Sequence, residues 1–471
     1  MKKLTKHIIA AASVLALSFC TYTGLRAYQF KKCNSAIPLS QEQSESLQEY
    51  LKKNYPERYS ILKNLPYKIN KPQLDIYAES AIVVDVSNGN IIYQKDADRI
   101  IPPASMAKLF SMYIVDEEVS AGNLSYQQEI PLLPECWACN MPPRSSLMFL
   151  GKGQRVTLEE LMLGLSICSG NDAAYALAYA VCGNMTDFVV RMNKVAEEIG
   201  LVNTHFVESS GYSEKNQTTA REMATFAAVY LKRHPESLKR FHSVMSFRYP
   251  KEHNLAPGDK LQSQDFSNGI PKRITMPVTQ ENTNPLLGKL EGCDGLKTGY
   301  IDESGYNLAL TAVRNGTRFL SVTMKGPGNN QMQGQAGRVH DGTELMEWAF
   351  RTFADYQLGL KVHPYLVFSF NSKEKMISLV PAYSDSTATI PFVTGKNMAE
   401  NLDEVKISVK LPDYCWGAVT QGEQYGSILI TVGEYILDEI PLVADRNLKR
   451  GNILTAMSDK ILSYLFMAKK V

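Results

Sequence analysis

The chain lacks the signatures of several common functional classes. Its charge is nearly balanced, with 50 basic and 48 acidic side chains and a formal net charge of +2, so it has no basic excess of the kind that nucleic-acid binding requires. The seven histidines form no HExxH motif, which disfavours a metallopeptidase, and no GxSxG segment occurs, which disfavours an α/β-hydrolase. We therefore expect no nucleic-acid partner and neither of these two hydrolase classes.

Cysteines are few, and their spacing forms no closed metal site. Cys136 and Cys139 make a CxxC, but the sequence has neither the second CxxC nor the neighbouring histidine pair that a structural zinc ion needs. We interpret this pair as a local disulfide or as two packed thiols. The sequence leaves the pairing of the other cysteines open. No metal and no cofactor is expected.

The amino terminus has the pattern of a secretory signal peptide, which we place at residues 1–27. Lysines precede an apolar run from Ile8 to Cys20, and small residues follow before Ala27. An uncleaved anchor is the alternative, because continuation through Leu25 would lengthen the apolar stretch. A lipoprotein is disfavoured, because the bulky Phe19 precedes the cysteine. We expect an exported protein in the periplasm or on the extracytoplasmic face of the membrane.

The middle of the chain predicts one α+β domain at residues 74–357. Two hairpins are expected, with type I′ turns at Asn88–Gly89 and Asn315–Gly316. Between them, apolar residues recur at helical spacing, and Thr157 with Glu160 makes a capping box ahead of one helix. Early strands, a helical centre and late strands predict an antiparallel sheet that is assembled from both ends of the segment.

The flanking segments have different characters. Residues 28–73 are polar and are predicted to be a spacer, whereas residues 358–446 are turn-rich and strand-like and predict a separate small all-β domain. Residues 447–471 predict an amphipathic helix that lies on a membrane surface. Its apolar face consists of Ile453, Leu454, Met457, Ile461, Leu462, Leu465 and Phe466. The alternative is a helix docked on its own domain.

A hydroxyl and an amine lie three positions apart at the predicted start of a core helix, in Ser105-Met106-Ala107-Lys108. At this spacing both side chains project to the same side of the helix. Serine is a weak nucleophile, and lysine is a base only where its surroundings keep it neutral. The pair therefore indicates Ser105 as a nucleophile and Lys108 as its base, although a solvated helix start would explain the same four residues.

A second motif, Ser169-Gly170-Asn171, follows at the end of a predicted helix. A loop at this point would present both polar side chains inward. Ser169 is then expected to relay a proton to the leaving group, and Asn171 to position Lys108 and a substrate amide. An ordinary helix junction, with Asn171 or Asp172 as the helix cap, is the alternative.

A third motif, Lys297-Thr298-Gly299, lies on a predicted edge strand. Such a strand pairs with an extended peptide by β-augmentation. Thr298 is expected to bind a carboxylate, Lys297 to add positive charge, and Gly299 to let the substrate backbone approach closely. Each motif is weak alone, but the three in this order indicate the active site of β-lactamases and penicillin-binding proteins.

With these motifs the chain resembles the low-molecular-mass penicillin-binding proteins, and within them the D-alanyl-D-alanine carboxypeptidases of the S11 serine peptidase family. The similarity extends over about residues 76 to 445. It implies a transpeptidase/β-lactamase-like α+β domain, then a small all-β domain and a C-terminal amphipathic anchoring helix. Similar stretches are Pro103–Lys108, Ser145–Leu150, Ser169–Ala173, Thr204–Phe206 with Gly211, Ala220 and Arg221, Asp294–Tyr300 and Gly305–Leu308.

The resemblance implies an enzyme that removes the terminal D-alanine from peptidoglycan pentapeptide stems through an acyl-enzyme on Ser105. The N–H groups of Ser105 and Tyr300 would form the oxyanion hole. Arg338 would hold the substrate carboxylate, with a surface helix arginine as the alternative. β-Lactam antibiotics would be covalent inhibitors, and the C-terminal helix would bind the membrane surface.

Three features depart from the family pattern. Tyr300 stands where well-known members have histidine, Thr283 replaces an arginine of some relatives, and the stretch between Arg221 and Asn282 is long. These departures concern deacylation and substrate preference. A β-lactamase is the first alternative function, disfavoured because no ExxLN-type segment supplies a deacylating glutamate. A non-catalytic protein that binds wall peptides is the second, disfavoured because the three motifs are intact.

Overall fold

The computed structural model describes residues 2–31, 61–357, 364–382, 387–391, 405–432 and 435–467. The helices are α1 (Lys2–Lys31), α2 (Lys108–Ser120), α3 (Leu158–Ser166), α4 (Asn171–Cys182), α5 (Met185–Ile199), α6 (Ala220–Arg233), α7 (Gln331–Thr352) and α8 (Ile453–Met467). Two shorter turns matter for the site, a 3-10 turn at Ala104–Ala107 and a π-helical turn at Leu238–His242.

The strands fall into an N-terminal and a C-terminal group. The first group is β1 (Lys63–Asn64), β2 (Ser80–Asp85), β3 (Asn90–Lys95), β4 (Glu129–Ile130), β5 (Val156–Thr157), β6 (Ser246–Tyr249), β7 (Val278–Glu281), β8 (Cys293–Ile301), β9 (Gly305–Arg314) and β10 (Thr317–Gly326). The second group is β11 (Phe353–Gln357), β12 (Tyr365–Phe370), β13 (Met376–Pro381), β14 (Thr387–Pro391), β15 (Val405–Lys410), β16 (Cys415–Trp416), β17 (Gln424–Val432) and β18 (Tyr435–Ala444).

A six-stranded sheet in the order β1-β3-β2-β10-β9-β8 organises the first domain. Its neighbouring strands are antiparallel except β1, which runs parallel to β3. Early strands pair with late ones, since β2 lies beside β10, and β8 is left at one edge. The predicted α+β architecture, with its sheet assembled from both ends of the segment, is confirmed.

Helices cover both faces of this sheet. Alternate residues of β2 face opposite sides, so Ile82 and Val84 join the core around α2, whereas Ala81 and Val83 join the core under α7. All four side chains are fully buried, and each buried valine or isoleucine contributes roughly 1.5–3 kcal/mol relative to exposure. This packing holds β8, at the end of the sheet, in a fixed place relative to α2.

The two predicted hairpin turns differ in the structure. Asn315 and Gly316 have φ values of 49° and 84°, as a type I′ turn requires, and that prediction is confirmed. In the other hairpin only Gly89 has a positive φ, and its N–H donates to the Asp85 carbonyl at 2.8 Å in a longer turn. The type I′ prediction is wrong there, because the chain at Ile61 packs against the turn and a Cβ on Gly89 would lie 1.9 Å from the Ile61 oxygen.

Part of the predicted spacer belongs to the fold. Leu62 is buried, β1 pairs with β3, and the Tyr67 hydroxyl donates to the Thr389 carbonyl at 2.9 Å. The spacer prediction is therefore wrong for residues 61–73, whose few apolar side chains pack into existing cores. Residues 32–60 lie outside the described part of the chain.

The C-terminal strands build the predicted all-β domain. Its sheet has the order β15-β17-β18-β13-β12-β16, and a separate pair is formed by β11 with β14. Because β11 follows α7 directly and pairs with a strand of the second domain, the boundary predicted after residue 357 falls at the end of a strand that links the two domains.

The last helix, α8, packs on this β domain with one face. Leu462 is buried against Phe368 and Phe370, and the Asp459 carboxylate accepts hydrogen bonds from the Asn371 N–H at 2.7 Å and from the Lys375 ammonium at 3.0 Å. The prediction that Leu462 belongs to the exposed apolar face is therefore wrong, and that face consists of Ile453, Met457, Ile461 and Tyr464 with Lys460 among them. Within the described ranges, no single helix is long and apolar enough to cross a bilayer; α4 and α5 meet that test only jointly, across a bend of 87°.

Candidate active site

The predicted nucleophile of the first motif, Ser105, lies on the 3-10 turn that leads into α2. Two prolines precede it, and Ala104 has a φ of 48°, so the chain reverses sharply just before Ser105. Met106 and Ala107 are buried beneath the turn. Ser105 lines a cleft of about 250 Å³.

Lys108 lies one helical turn further on and reaches the serine. Its Nζ is 2.9 Å from Ser105 Oγ, 2.8 Å from Asn171 Oδ1 and 2.5 Å from the Ser210 carbonyl oxygen. The side chain is completely buried, and this burial lowers the pKa of Lys108 to about 7, although the negative charge of Glu208 partly opposes the shift. A substantial fraction of the amine is therefore neutral near pH 7, as a base for Ser105 must be.

The second and third motifs are brought into contact in the structure. Lys297 Nζ lies 2.9 Å from Ser169 Oγ, although the two residues are far apart in sequence. Ser169 has a φ of 55°, which turns its side chain inward from the end of α3. Burial, and then the positive charges of Lys108 and Arg338, hold the pKa of Lys297 well below its usual range. The site therefore contains two serine–lysine pairs.

The predicted alternative for the second motif, a helix cap, is wrong. Gly170 occupies the cap position of α4, and Asn171 and Asp172 are the first residues of the helix. Asn171 instead links Lys108 to Ser145. Its Oδ1 contacts Lys108 Nζ, and its Nδ2 donates to Ser145 Oγ at 3.0 Å. The buried Asp172 carboxylate accepts N–H bonds from the wall segment Met148–Leu150 at 2.8 to 3.0 Å.

Strand β8 forms the edge of the sheet along the cleft, as predicted. A Cβ on Gly299 would lie 2.5 Å from the Pro103 carbonyl oxygen. The close approach that Gly299 permits in the structure is therefore that of the turn carrying Ser105, and not that of a substrate backbone. Thr298 Oγ1 donates to Thr283 Oγ1 at 2.9 Å. Thr298 and Thr283 thus place two hydroxyls beside the strand.

Arg338 lies behind β8 and is only 6% exposed. Its Nε donates to the Asn307 carbonyl at 3.0 Å and one terminal nitrogen donates to the Gly299 carbonyl at 2.6 Å. The alternative of a surface helix arginine is therefore wrong. These bonds tie α7 to the edge strand, and contact with a substrate carboxylate stays a prediction.

Three residues that line the cleft are linked by an ion pair and a hydrogen bond that the sequence did not indicate. Arg144 makes two hydrogen bonds with Asp302, at 2.9 and 3.1 Å, and the Tyr300 hydroxyl donates to the same carboxylate at 2.7 Å. The hydrogen bond to Asp302 and some burial raise the pKa of Tyr300 to about 12. Tyr300 therefore stays a neutral phenol near neutral pH.

Further supporting residues were also missed. The Glu208 carboxylate accepts from the Ser210 N–H at 2.6 Å and from Asn216 Nδ2 at 2.7 Å, and so shapes the turn whose carbonyl contacts Lys108. Gly211 has a φ of 79° and lies against the Ala104 carbonyl. Of these residues only Gly211 was identified from the sequence, because the contacts of the others depend on how distant segments pack together.

The structure distinguishes between the two interpretations of the CxxC pair. Cys136 and Cys139 are free thiols, which agrees with two packed thiols and not with a local disulfide. Burial raises the pKa of Cys136 to about 12. Cys33 lies outside the described residues.

The sheet with its helical layers and the two serine–lysine pairs define a class, that of serine peptidases with a transpeptidase-like fold. A family model described as D-alanyl-D-alanine carboxypeptidase, peptidase S11, matches residues 67–328, more than half of the chain. The chain therefore belongs to the S11 family of serine peptidases, the D-alanyl-D-alanine carboxypeptidases.

Individual proteins show the same likeness. D-alanyl-D-alanine carboxypeptidase DacF of Bacillus subtilis is 26% identical over 380 residues, which are 80% of this chain and 87% of the relative. DacD of Escherichia coli is 30% identical over 299 residues, covering 63% and 68% of the two chains. The crystal structure of penicillin binding protein 5 from Haemophilus influenzae superposes with a TM-score of 0.63 at 26% identity, over 81% of this chain and 100% of that one.

Proposed function

We propose that this enzyme removes the terminal D-alanine from peptidoglycan pentapeptides through an acyl-enzyme on Ser105. The observation that carries the proposal is the buried Lys108 amine, 2.9 Å from Ser105 Oγ, whose pKa is lowered to about 7 by burial. A neutral amine at that distance takes the hydroxyl proton as Ser105 attacks the carbonyl carbon between the two D-alanines.

The substrate backbone is proposed to lie along β8 as an added strand. Ser105 and Tyr300 both line the cleft, and their N–H groups stabilise the oxyanion that develops on the attacked carbonyl oxygen. Asn171 lines the same cleft and contacts Lys108, so its amide orients the base beside the substrate.

The second serine–lysine pair serves the leaving group. Ser169 is proposed to relay to the departing D-alanine nitrogen the proton that Lys108 took from Ser105, and Lys297, 2.9 Å away, orients the Ser169 hydroxyl. The C-terminal carboxylate of the substrate is assigned to the hydroxyls of Thr298 and Thr283, with Arg338 adding positive charge from behind the strand. Water then hydrolyses the acyl-enzyme and restores Ser105.

Release of D-alanine tests this function. Purified protein is expected to release D-alanine from an L-Ala-γ-D-Glu-Lys-D-Ala-D-Ala pentapeptide and to become labelled by a fluorescent penicillin. Rapid destruction of the penicillin without D-alanine release would favour the β-lactamase alternative. Binding of the peptide with neither reaction would favour the non-catalytic alternative.

We also propose export and attachment to the outer face of the membrane through α8. Ile453, Met457, Ile461 and Tyr464 recur at helical spacing and are 52% to 80% exposed, whereas Leu462 faces the β domain. Docking and membrane contact therefore use different faces of one helix. The side chains of Leu454, Leu465 and Phe466, also predicted for the apolar face, lie outside the described residues.

Replacing Ile453, Met457 and Ile461 by serine is expected to weaken binding to anionic phospholipid vesicles at least about tenfold, since each buried apolar side chain contributes roughly 1.5–3 kcal/mol. The matched control places serine at three exposed apolar positions elsewhere, Val190, Val202 and Met332. Both variants are measured by vesicle sedimentation after the signal segment is confirmed to be cleaved. Equal vesicle binding by the two triple variants would contradict the attachment.

A further inference from the structure

A tryptophan lies beside the C-terminal helix on the β domain. Trp416 is the most exposed of the three tryptophans, at 42%, and it pairs with Phe370 of β12 from the edge strand β16. Paired residues of neighbouring strands direct their side chains to the same face of a sheet, and the two rings lie 6.0 Å apart. Because Phe370 packs against Leu462 of α8, Trp416 lies on the sheet face that α8 covers, next to the helix.

Exposed cations lie at the same end of the β domain. Residues 371–375 join β12 to β13 and contact the segment that leads into α8. The Lys373 N–H donates to the Lys449 carbonyl at 2.9 Å, and Ser372 forms a bridge with Arg450. Lys373, Lys449 and Arg450 are exposed, and among the described residues none of these three side chains forms an ion pair.

Neighbouring carboxylates already have cationic partners. They form three ion pairs: Arg446 with Glu374 at 3.2 Å and with Asp445 at 2.9 Å, and Lys375 with Asp459 of α8 at 3.0 Å. Even with Asp413, an exposed carboxylate near Trp416, counted at full charge, the three exposed cations keep this end of the domain positive. An anionic partner is therefore favoured here.

A positive end with a tryptophan beside an apolar helix face fits the surface of an anionic bilayer. Tryptophan is enriched where lipid meets water, because its ring is apolar and its N–H is polar. The exposed face of α8 begins at Ile453, three residues after Arg450. The N-terminal helix α1 also reaches this end, since the Tyr22 hydroxyl lies 3.5 Å from Asp459 Oδ1. Both segments with a membrane pattern therefore meet here.

We propose that this end of the β domain makes a second contact with the bilayer, in which Lys373, Lys449 and Arg450 bind anionic phospholipid headgroups and Trp416 enters the boundary between lipid and water beside α8. This inference rests on the proposed attachment through α8. It adds a lipid-binding surface outside the helix. Contacts on two elements also fix the orientation of the β domain on the bilayer, which the face of one helix leaves open.

Removal of charge tests the contact with headgroups. Replacing Lys373, Lys449 and Arg450 together by glutamine is expected to weaken binding to vesicles of phosphatidylglycerol and phosphatidylcholine at least about tenfold, because each cation near an anionic surface strengthens binding about fivefold. Binding is measured by sedimentation with protein whose signal segment is confirmed to be cleaved, and thermal midpoints are recorded beside it.

The matched control replaces Lys260, Lys272 and Lys289 by glutamine, which are three exposed lysines of the first domain, and so removes the same charge. It should bind the anionic vesicles within about threefold of wild type. Equal binding by the two triple variants would overturn the contact with headgroups while leaving attachment through α8 standing. Absence of vesicle binding by the wild-type protein would overturn both.

Tryptophan fluorescence tests the insertion of Trp416. On anionic vesicles that contain brominated phosphatidylcholine, the emission of the wild-type protein should move to shorter wavelength and be quenched, because the indole leaves water for lipid. Trp416→Phe, which keeps an aromatic ring beside Phe370, should bind the vesicles with neither change. Equal quenching of the two vesicle-bound proteins, or quenching of neither, would overturn the insertion.

Discussion

Replacing Lys108 with methionine is expected to lower the rate of acylation by penicillin about 10²- to 10⁴-fold, the contribution of a positioned general base. The substitution removes the Nζ that lies 2.9 Å from Ser105 Oγ. Methionine has a similar length and suits a site that is completely buried, so the fold should survive. The rate is measured with a fluorescent penicillin over a range of concentrations.

Lys289→Met is the matched control, because this lysine is exposed and is not among the residues that line the cleft. It should acylate at the wild-type rate. If the Lys108 variant reacted within about threefold of wild type while showing the same thermal midpoint, Lys108 would not be the base.

The same lysine predicts the pH dependence of the wild-type enzyme. The pKa of Lys108 is lowered to about 7 by burial, so the amine is protonated and inactive as a base below that pH. Acylation by penicillin should rise about tenfold per pH unit up to this pKa and then level off. In Lys108→Met the residual rate should lack this limb, and a wild-type rate that stayed constant from pH 5 to pH 8 would contradict the assignment.

Gly211→Ala is expected to disrupt the turn that carries Ser105, and to lower both the free energy of unfolding and the rate of acylation by penicillin. Gly211 has a φ of 79°, and a Cβ there would lie 1.9 Å from the Ala104 carbonyl oxygen. The left-handed conformation costs an alanine about 1–2 kcal/mol, and the overlap adds roughly 1–3 kcal/mol of strain. Because the overlap displaces the residue before Ser105, we also expect acylation to fall about 100-fold, as misplacement of a reacting group by about 1 Å does.

Gly183→Ala separates these two effects. Gly183 has a similar φ of 75°, but no atom lies within 4 Å of its added Cβ. This control should lose about 1–2 kcal/mol of unfolding free energy from the backbone conformation alone and keep the wild-type acylation rate. Similar acylation rates in the two alanine variants would show that contact with the serine turn is unimportant.

The features that follow from local chemistry were predictable from sequence. Ser105 and Lys108 are one helical turn apart, so their proximity is a property of the helix. The capping box also formed, with the Glu160 N–H donating to Thr157 Oγ1 at 3.2 Å. By contrast, the turn at Gly89 escaped prediction, because a segment distant in sequence packs on it.

The chemistry around the motifs was harder to predict for the same reason. The pKa of Lys108 depends on burial and on Glu208, which comes from a separate loop. Arg338 was identified through the resemblance to the family, but its bonds to the Gly299 and Asn307 carbonyls depend on how α7 packs behind β8. Periodicity and motif spacing contain no information on such contacts between distant segments.

The covalent intermediate tests the central claim most directly. Protein quenched with acid after brief exposure to penicillin, then digested and analysed by mass spectrometry, should carry the added mass of one penicillin on the peptide that contains Ser105. The Ser105→Ala variant should carry none, while its thermal midpoint stays at the wild-type value. Modification of a peptide without Ser105, or undiminished labelling of Ser105→Ala, would contradict the assignment of Ser105 as the nucleophile.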